Sequence, residues 1–414
     1  MSFFLKNIQF LKNFSYLALF ELVNLLFPLA ITPYIIKKVG FESYGNISFL
    51  QAIILTLAVV TDWGFNISSV RDVSVNKANP GELGVIFSTV LWSKLFLLAV
   101  ILLFYSIAVF FTSDKELYLL ALMLLVGKTF YPNWFFLGVE KNQYLVLGAV
   151  ILNLCYGTLL FFFLNEKTDF TKVLFFQGTC MFFTSVILIC VAASKYKFSI
   201  KAVGMSENVK KQLAENVKIF YSNASLTASS YFSTIVLKFF ISDYLLGIYS
   251  LGQKIASVSK LGLTVFSASV YPRVSIAAQD KSEVSIHNIV KKIFLPYAIV
   301  FISGVVLCTF LIPYVIRYFD ANAQFEHFFF AEILFLVPII TLFNVMPYLI
   351  LLAKKMERDY SKIMILSSVL SIVTLILWVP YFKIYGALAS IIVVELYIVM
   401  ALYSKAKLFL PKLY

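Results

Sequence analysis

The chain has 414 residues, of which 61% are hydrophobic and only 13% charged, with a mean hydropathy of +0.90. A soluble domain carries about 25% charged residues, so soluble enzyme folds are excluded and a polytopic membrane protein is expected. The net charge of +13 would point to nucleic acid in a soluble protein; here it first raises the question of which side of the bilayer holds the cations.

In chain order, twelve apolar segments are long enough to cross a bilayer, which takes roughly 20 residues. They lie near 14–36, 45–65, 84–111, 117–138, 144–164, 173–193, 219–241, 245–272, 293–316, 328–352, 362–380 and 385–403. The first is too long for a signal-peptide core and lacks a small-residue cleavage site, so it reads as a retained helix. Helices rather than strands are expected, because backbone groups in lipid must be satisfied internally. With the N-terminus placed in the cytoplasm, 22 Lys and Arg fall in inside segments against 7 outside. That bias predicts cytoplasmic termini at both ends. Cys155, Cys180, Cys190 and Cys308 all sit in apolar runs without a CxxC partner, so neither a disulfide framework nor a zinc site is expected.

The longest polar connection, basic and central, divides the chain. The expected organisation is a six-helix bundle over 1–193, a basic cytoplasmic linker over 194–218 and a second six-helix bundle over 219–414. At an offset of 202 residues, Thr32, Gly45, Ser48, Gln51 and Arg71 match Thr234, Gly247, Ser250, Gln253 and Arg273, as a parallel repeat would.

Charges at bilayer depth cost about 2.5–3.5 kcal/mol on insertion scales and mark pathways by default. The embedded cations are Lys94, Lys128, Lys238, Lys254 and Lys260, and the embedded acids Glu21, Asp62, Glu332 and Glu395. Lys238 can snorkel to the interface, and Asp62 and Glu332 lie near helix ends, where an interfacial position also accounts for them. Lys94, Lys128, Lys254 and Glu395 sit deeper. They either face a wet lumen or form internal ion pairs. Ser250, Gln253, Lys254, Ser257, Lys260 and Thr264 share one arc of the eighth segment, as the wall of a cationic cavity would. Glu21, Asn24, Pro28 and Thr32 form a similar stripe on the first. A cavity with deep lysines suits an anionic substrate, since Lys is a usual phosphate partner. Tyr16, Tyr34, Tyr131, Trp134, Tyr231 and Tyr348 are candidates to stack on sugar rings or to act as interface anchors. Walker A, HExxH and GxSxG motifs are absent from the sequence, so ATP hydrolysis is not expected; a membrane-embedded glycosyltransferase or polymerase is the rival from another class, and the short outer loops weigh against it.

Three stretches carry a resemblance. They are Asn24-Leu-Leu-Phe-Pro28-Leu-Ala-Ile-Thr-Pro33-Tyr34 with Val39-Gly40-Phe-Glu42-Ser-Tyr44-Gly45; Asp62-Trp-Gly64-Phe-Asn66-Ile-Ser68-Ser-Val-Arg71-Asp72-Val-Ser74; and Phe130-Tyr131-Pro132-Asn133-Trp134-Phe-Phe-Leu-Gly138. Val270-Tyr271-Pro272-Arg273 adds diffuse support. Together they resemble bacterial polysaccharide repeat-unit flippases of the Wzx type, within the multidrug/oligosaccharidyl-lipid/polysaccharide exporter superfamily. The resemblance implies an all-α integral membrane protein of about 12 transmembrane helices in two six-helix bundles around a central cavity. It implies a flippase, not an enzyme, that moves an undecaprenyl-diphosphate-linked oligosaccharide from the cytoplasmic to the periplasmic leaflet of the inner membrane by alternating access. Such a protein would work beside a polysaccharide polymerase and a chain-length regulator, with no nucleic-acid partner. On this reading Lys94, Lys128, Lys254, Lys260, Gln253 and Ser257 contact the substrate. Arg71 and Arg273 stand at the cytoplasmic mouth. Glu21, Asp62 and Glu395 are the candidates for proton or sodium coupling, and no other cofactor is expected. The alternative is a multidrug or other lipid-linked exporter of the same superfamily.

Overall fold

A computed structural model describes residues 2–112, 114–200, 205–279, 283–320 and 325–407. Among them the secondary structure is helical, with no strand. The helices are α1 (Ser2–Asp62), α2 (Phe65–Asn76), α3 (Pro80–Phe110), α4 (Lys115–Phe130), α5 (Asn133–Gly138), α6 (Gln143–Phe163), α7 (Thr171–Tyr196) and α8 (Met205–Leu237). They continue as α9 (Asp243–Gln279), α10 (Glu283–Ile289), α11 (Leu295–Thr309), α12 (Ile312–Phe319), α13 (Phe325–Leu342), α14 (Val345–Ala353) and α15 (Glu357–Ala406).

Among the described residues nine helical stretches are long and apolar enough to cross a membrane. Two of them are too long for one crossing. The 62 residues of Ser15–Asn76 would measure about 90 Å at helical rise, against a hydrocarbon core of about 30 Å. Each therefore holds two spans, divided where the backbone leaves helical geometry: Gly40 (φ 81°) in α1 and Lys383 (φ 51°) in α15. With the more polar 33-residue α8, twelve segments result, and the chain is an all-α membrane protein. Between the expected segments 14–36 and 45–65 the break is at Gly40, with helical geometry on both sides of it.

Of residues 194–218, expected to form a basic cytoplasmic linker, 194–196 end α7 and 205–218 open α8, while 201–204 lie outside the described residues. Val209, Leu213 and Asn216 recur at helical spacing and are buried or half-buried, while Lys210, Lys211, Glu215 and Lys218 stay exposed.

Two compact units divide the chain at Thr227–Ala228, inside α8. In the first unit α4 and α7 meet closely: a Cβ on Gly127 would sit 2.6 Å from the carbonyl oxygen of Gly178. Small residues let membrane helices approach backbone to backbone. The Trp134-Phe135-Phe136 run of α5 is core. Phe87 lies 5.2 Å from Trp134, 5.3 Å from Phe135 and 5.1 Å from Phe198, centroid to centroid. In the second unit Leu263, Val270 and Val274 of α9 pack with Leu342, Met346 and Leu349 of α13 and α14. Tyr297 stacks on Phe266 at 3.8 Å beside them.

Candidate functional site: charge pairs inside each unit

The first unit gathers four charges. Asp62 ends α1 because the chain turns there: Trp63 (φ 45°) and Gly64 (φ 83°) are both left-handed. This brings its Oδ1 to 3.2 Å from Lys94 Nζ on α3. Lys94 is 4% exposed, so the ammonium depends on this carboxylate for its charge compensation. Asp62, read as a candidate interfacial acid, is thus an internal partner. Lys128, on the last turn of α4, is exposed and makes no ion pair of its own among the described residues. Its neighbour Thr129 donates to the Thr61 hydroxyl at 3.1 Å, which ties α4 to the end of α1. On the α1 stripe Glu21 and Asn24 are exposed, while Thr32 is buried and returns its hydroxyl to Pro28 O.

The second unit has its own pair. Lys260 Nζ of α9 donates to Glu395 Oε1 of α15 at 2.7 Å, and Asn344 Nδ2 donates to Oε2 at 3.2 Å. Asn344 reaches the carboxylate from the break between α13 and α14. Glu395 is largely buried, whereas the Lys260 side chain is 40% exposed, leaving its ammonium open to competition from a second anion. Gln253 uses its amide inside the unit: Nε2 donates to Ser233 and to Tyr249, and Oε1 accepts from Thr234. Ser257 is exposed and donates to Gln253 O. Lys254 is half-buried on the same helix.

The sequence-derived set is therefore divided between the units. Glu21, Asp62, Arg71, Lys94 and Lys128 belong to the first; Gln253, Lys254, Ser257, Lys260, Arg273 and Glu395 belong to the second. Of the deeper charges, for which a wet lumen or an internal ion pair was expected, Lys94 and Glu395 are ion-paired. Arg71 is exposed and pairs with Asp72 at 3.3 Å; Arg273 is exposed on α9, next to Pro272. Lys238, expected to snorkel, pairs with Asp243. Among the aromatic candidates for sugar stacking or interface anchoring, Trp134 and Tyr131 are buried. Tyr34 faces Phe161 at 6.2 Å and Tyr348 faces Tyr360 at 5.0 Å. The residues that sequence reasoning passed over are Trp63 and Ser93, next in the chain to Asp62 and Lys94, and Gln212, 3.3 Å from Ser93. Their only signal is adjacency in sequence to Asp62 and Lys94, and for Gln212 there is none.

The geometry can be set beside known proteins. The chain is 24% identical over 405 residues to a Shigella dysenteriae protein named "Putative O-antigen transporter", covering 96% of this chain and 100% of that one. An Escherichia coli K12 protein of the same name is also 24% identical, covering 93% of each. Among solved structures, a multidrug resistance MATE family transporter of the MOP superfamily, in an inward-facing conformation, matches with a TM-score of 0.71 at 12% identity, over 97% of this chain and 100% of that one. The lipid II flippase MurJ, inward closed, matches with a TM-score of 0.58 at 15% identity, over 94% and 87%. These likenesses establish a shared fold. The model of the family described as "Polysaccharide biosynthesis protein" matches residues 10–277, a stretch that holds the Asp62–Lys94 pair, Lys128 and Lys260, and the chain belongs to that family.

Proposed function

We propose that the chain is a flippase for an undecaprenyl-diphosphate-linked oligosaccharide repeat unit, of O-antigen or a related surface polysaccharide. It would carry the unit from the cytoplasmic to the periplasmic leaflet of a bacterial inner membrane, with both termini cytoplasmic. The observation that carries this reading is Lys128: a cation in a membrane-spanning helix, exposed, next in sequence to the Thr129 that bonds Thr61 beside Asp62, and without an ion pair of its own among the described residues. A diphosphate offers the charge that such a lysine lacks, as a compact, multiply charged acceptor. The names of the two curated relatives support the same substrate class. Lys128, Lys254 and Lys260 are the proposed headgroup contacts, with Lys94 held in reserve by Asp62. Gln253 and Ser257 shape the wall of α9, and Arg71 and Arg273 collect the headgroup from the cytoplasmic leaflet. Movement follows by alternating access, with Glu21, Asp62 and Glu395 as the carboxylates through which a proton or sodium gradient would act.

The test is complementation. In a strain deleted for this gene, surface polysaccharide should be absent and lipid-linked repeat should accumulate in the inner leaflet. Wild-type protein should restore export; Lys128→Ala and Lys254→Ala should not, at equal membrane abundance. Full export by Lys128→Ala would remove that lysine from the mechanism. The likeness in fold to a multidrug transporter favours a second reading, drug extrusion. It predicts raised drug susceptibility on deletion, with no change in polysaccharide.

A further inference from the structure

Three consecutive residues at the end of α1 each tie a different helix. Thr61 accepts from Thr129 of α4, Asp62 pairs with Lys94 of α3, and the Trp63 indole N–H donates to Leu213 O of α8 at 2.9 Å. The Trp63 ring also stacks on Phe220 of α8, 4.1 Å away and 11° from parallel. On α3 the same doubling recurs. Lys94 holds the carboxylate, while Ser93, fully buried, lies 3.3 Å from Gln212 Oε1 of α8. The ion pair and the grip on α8 are therefore built from adjacent residues on both sides.

The joint is tight and strained. A bulky residue in the left-handed region costs roughly 1–2 kcal/mol, and Trp63 holds φ 45°. Gly64 follows at φ 83°, and a Cβ there would stand 2.7 Å from Ile219 Cγ2 of α8. Strain of this kind persists where surrounding contacts over-determine it, and it collects at switch regions. Asp62 and Trp63 share one planar peptide, so a backbone displacement at Asp62 reaches the Trp63 N–Cα bond, whose φ of 45° is held by the contacts with Leu213 and Phe220. α8 is one unbroken helix from Met205 to Leu237, and the boundary between the two compact units falls within it.

We propose that Trp63 is a positioning residue that links the charge state of the Lys94 site to α8. An anionic headgroup that engages Lys128 competes with Asp62 for Lys94, Asp62 moves, and Trp63 loosens its hold on Leu213 and Phe220. Loading of the first unit is thereby passed to the helix that runs into the second. This rests on the proposed diphosphate chemistry of the site, and the experiment separates the two.

The full chain, reconstituted in nanodiscs, is titrated with geranylgeranyl diphosphate, with geranylgeraniol as the uncharged control. Binding is measured directly with radiolabelled ligand. Trp63 is followed by its fluorescence in Trp92→Phe/Trp134→Phe/Trp378→Phe protein, and α8 by amide exchange over residues 205–220 of the wild-type chain, which needs no substitution. The expected result is diphosphate binding with a red-shifted Trp63 emission and lost protection over 205–220, and neither signal with the alcohol. Asp62→Asn should show the red shift without ligand, and Trp63→Phe should retain diphosphate binding while losing the exchange response. Diphosphate binding with no change in either signal overturns the coupling and leaves the proposed substrate class intact. No diphosphate binding overturns both.

Discussion

Lys94 Nζ lies 3.2 Å from Asp62 Oδ1, with 5% and 18% of the two side chains exposed. A buried pair of this kind contributes little net stability, yet breaking it by removing one partner costs about 3–5 kcal/mol, because the survivor is left charged and unpaired. Asp62→Asn and Lys94→Met should each lower the thermal unfolding midpoint of the purified protein sharply. The double variant should recover most of the loss, since no uncompensated charge remains. It should not recover polysaccharide export. Equal and additive destabilisation in the double variant would show that the two residues do not act as a pair.

Lys128 separates stability from transport. It has no ion pair of its own among the described residues, so Lys128→Gln leaves no partner charge uncompensated and should not lower the unfolding midpoint. Export should nevertheless fall to background. Lys128→Arg should retain measurable export, since the charge stays while its geometry changes. Both are read by complementation at matched protein level.

In the second unit Glu395 accepts from Lys260 and from Asn344 through different oxygens. Glu395→Gln keeps the shape but loses the charge and one acceptor. The expected destabilisation is about 1–3 kcal/mol, the usual penalty for an unsatisfied buried group. Asn344→Leu should cost less, because it removes a neutral donor and leaves the Lys260–Glu395 pair intact. Thermal melts of the two variants side by side give the order.

The contact of α4 with α7 depends on Gly127. A methyl there would stand 2.6 Å from Gly178 O, which forces backbone apart rather than a side chain aside. Gly127→Ala should destabilise by about 1–3 kcal/mol, as overpacking does. A far smaller shift in midpoint would show that the two helices have room to separate.

Orientation is tested by single cysteines in a chain whose Cys155, Cys180, Cys190 and Cys308 are replaced by Ala. With cytoplasmic termini, Lys115→Cys should react with a membrane-impermeant maleimide in intact cells. Lys77→Cys should react only after the membrane is opened. The reverse pattern would invert the topology.

The number and type of elements were legible because lipid imposes one strong rule: about 20 apolar residues per crossing, all helical. Helix ends were legible only where the chain changed character. Residues 205–218 look like a linker by polarity alone, and they become the start of α8 because one face of the segment packs against Trp63 and Gly64. Trp134 could be read from sequence as a sugar-stacking ring or an interface anchor; in the structure it is buried against Phe87.

Length, hydropathy and the loop distribution of Lys and Arg by themselves determined a membrane protein of twelve helical segments with charges that lipid does not tolerate unaided. Which charges neutralise which was decided only by the tertiary structure. Lys94 and Asp62 are 32 positions apart, and Lys260 and Glu395 are 135 apart; no local periodicity relates such residues. Pairing is a property of helix packing, and packing depends on where glycines, breaks and turns let the helices meet. The left-handed turn at Trp63 and Gly64 puts the first pair beside α8, and the break at Asn344 completes the second.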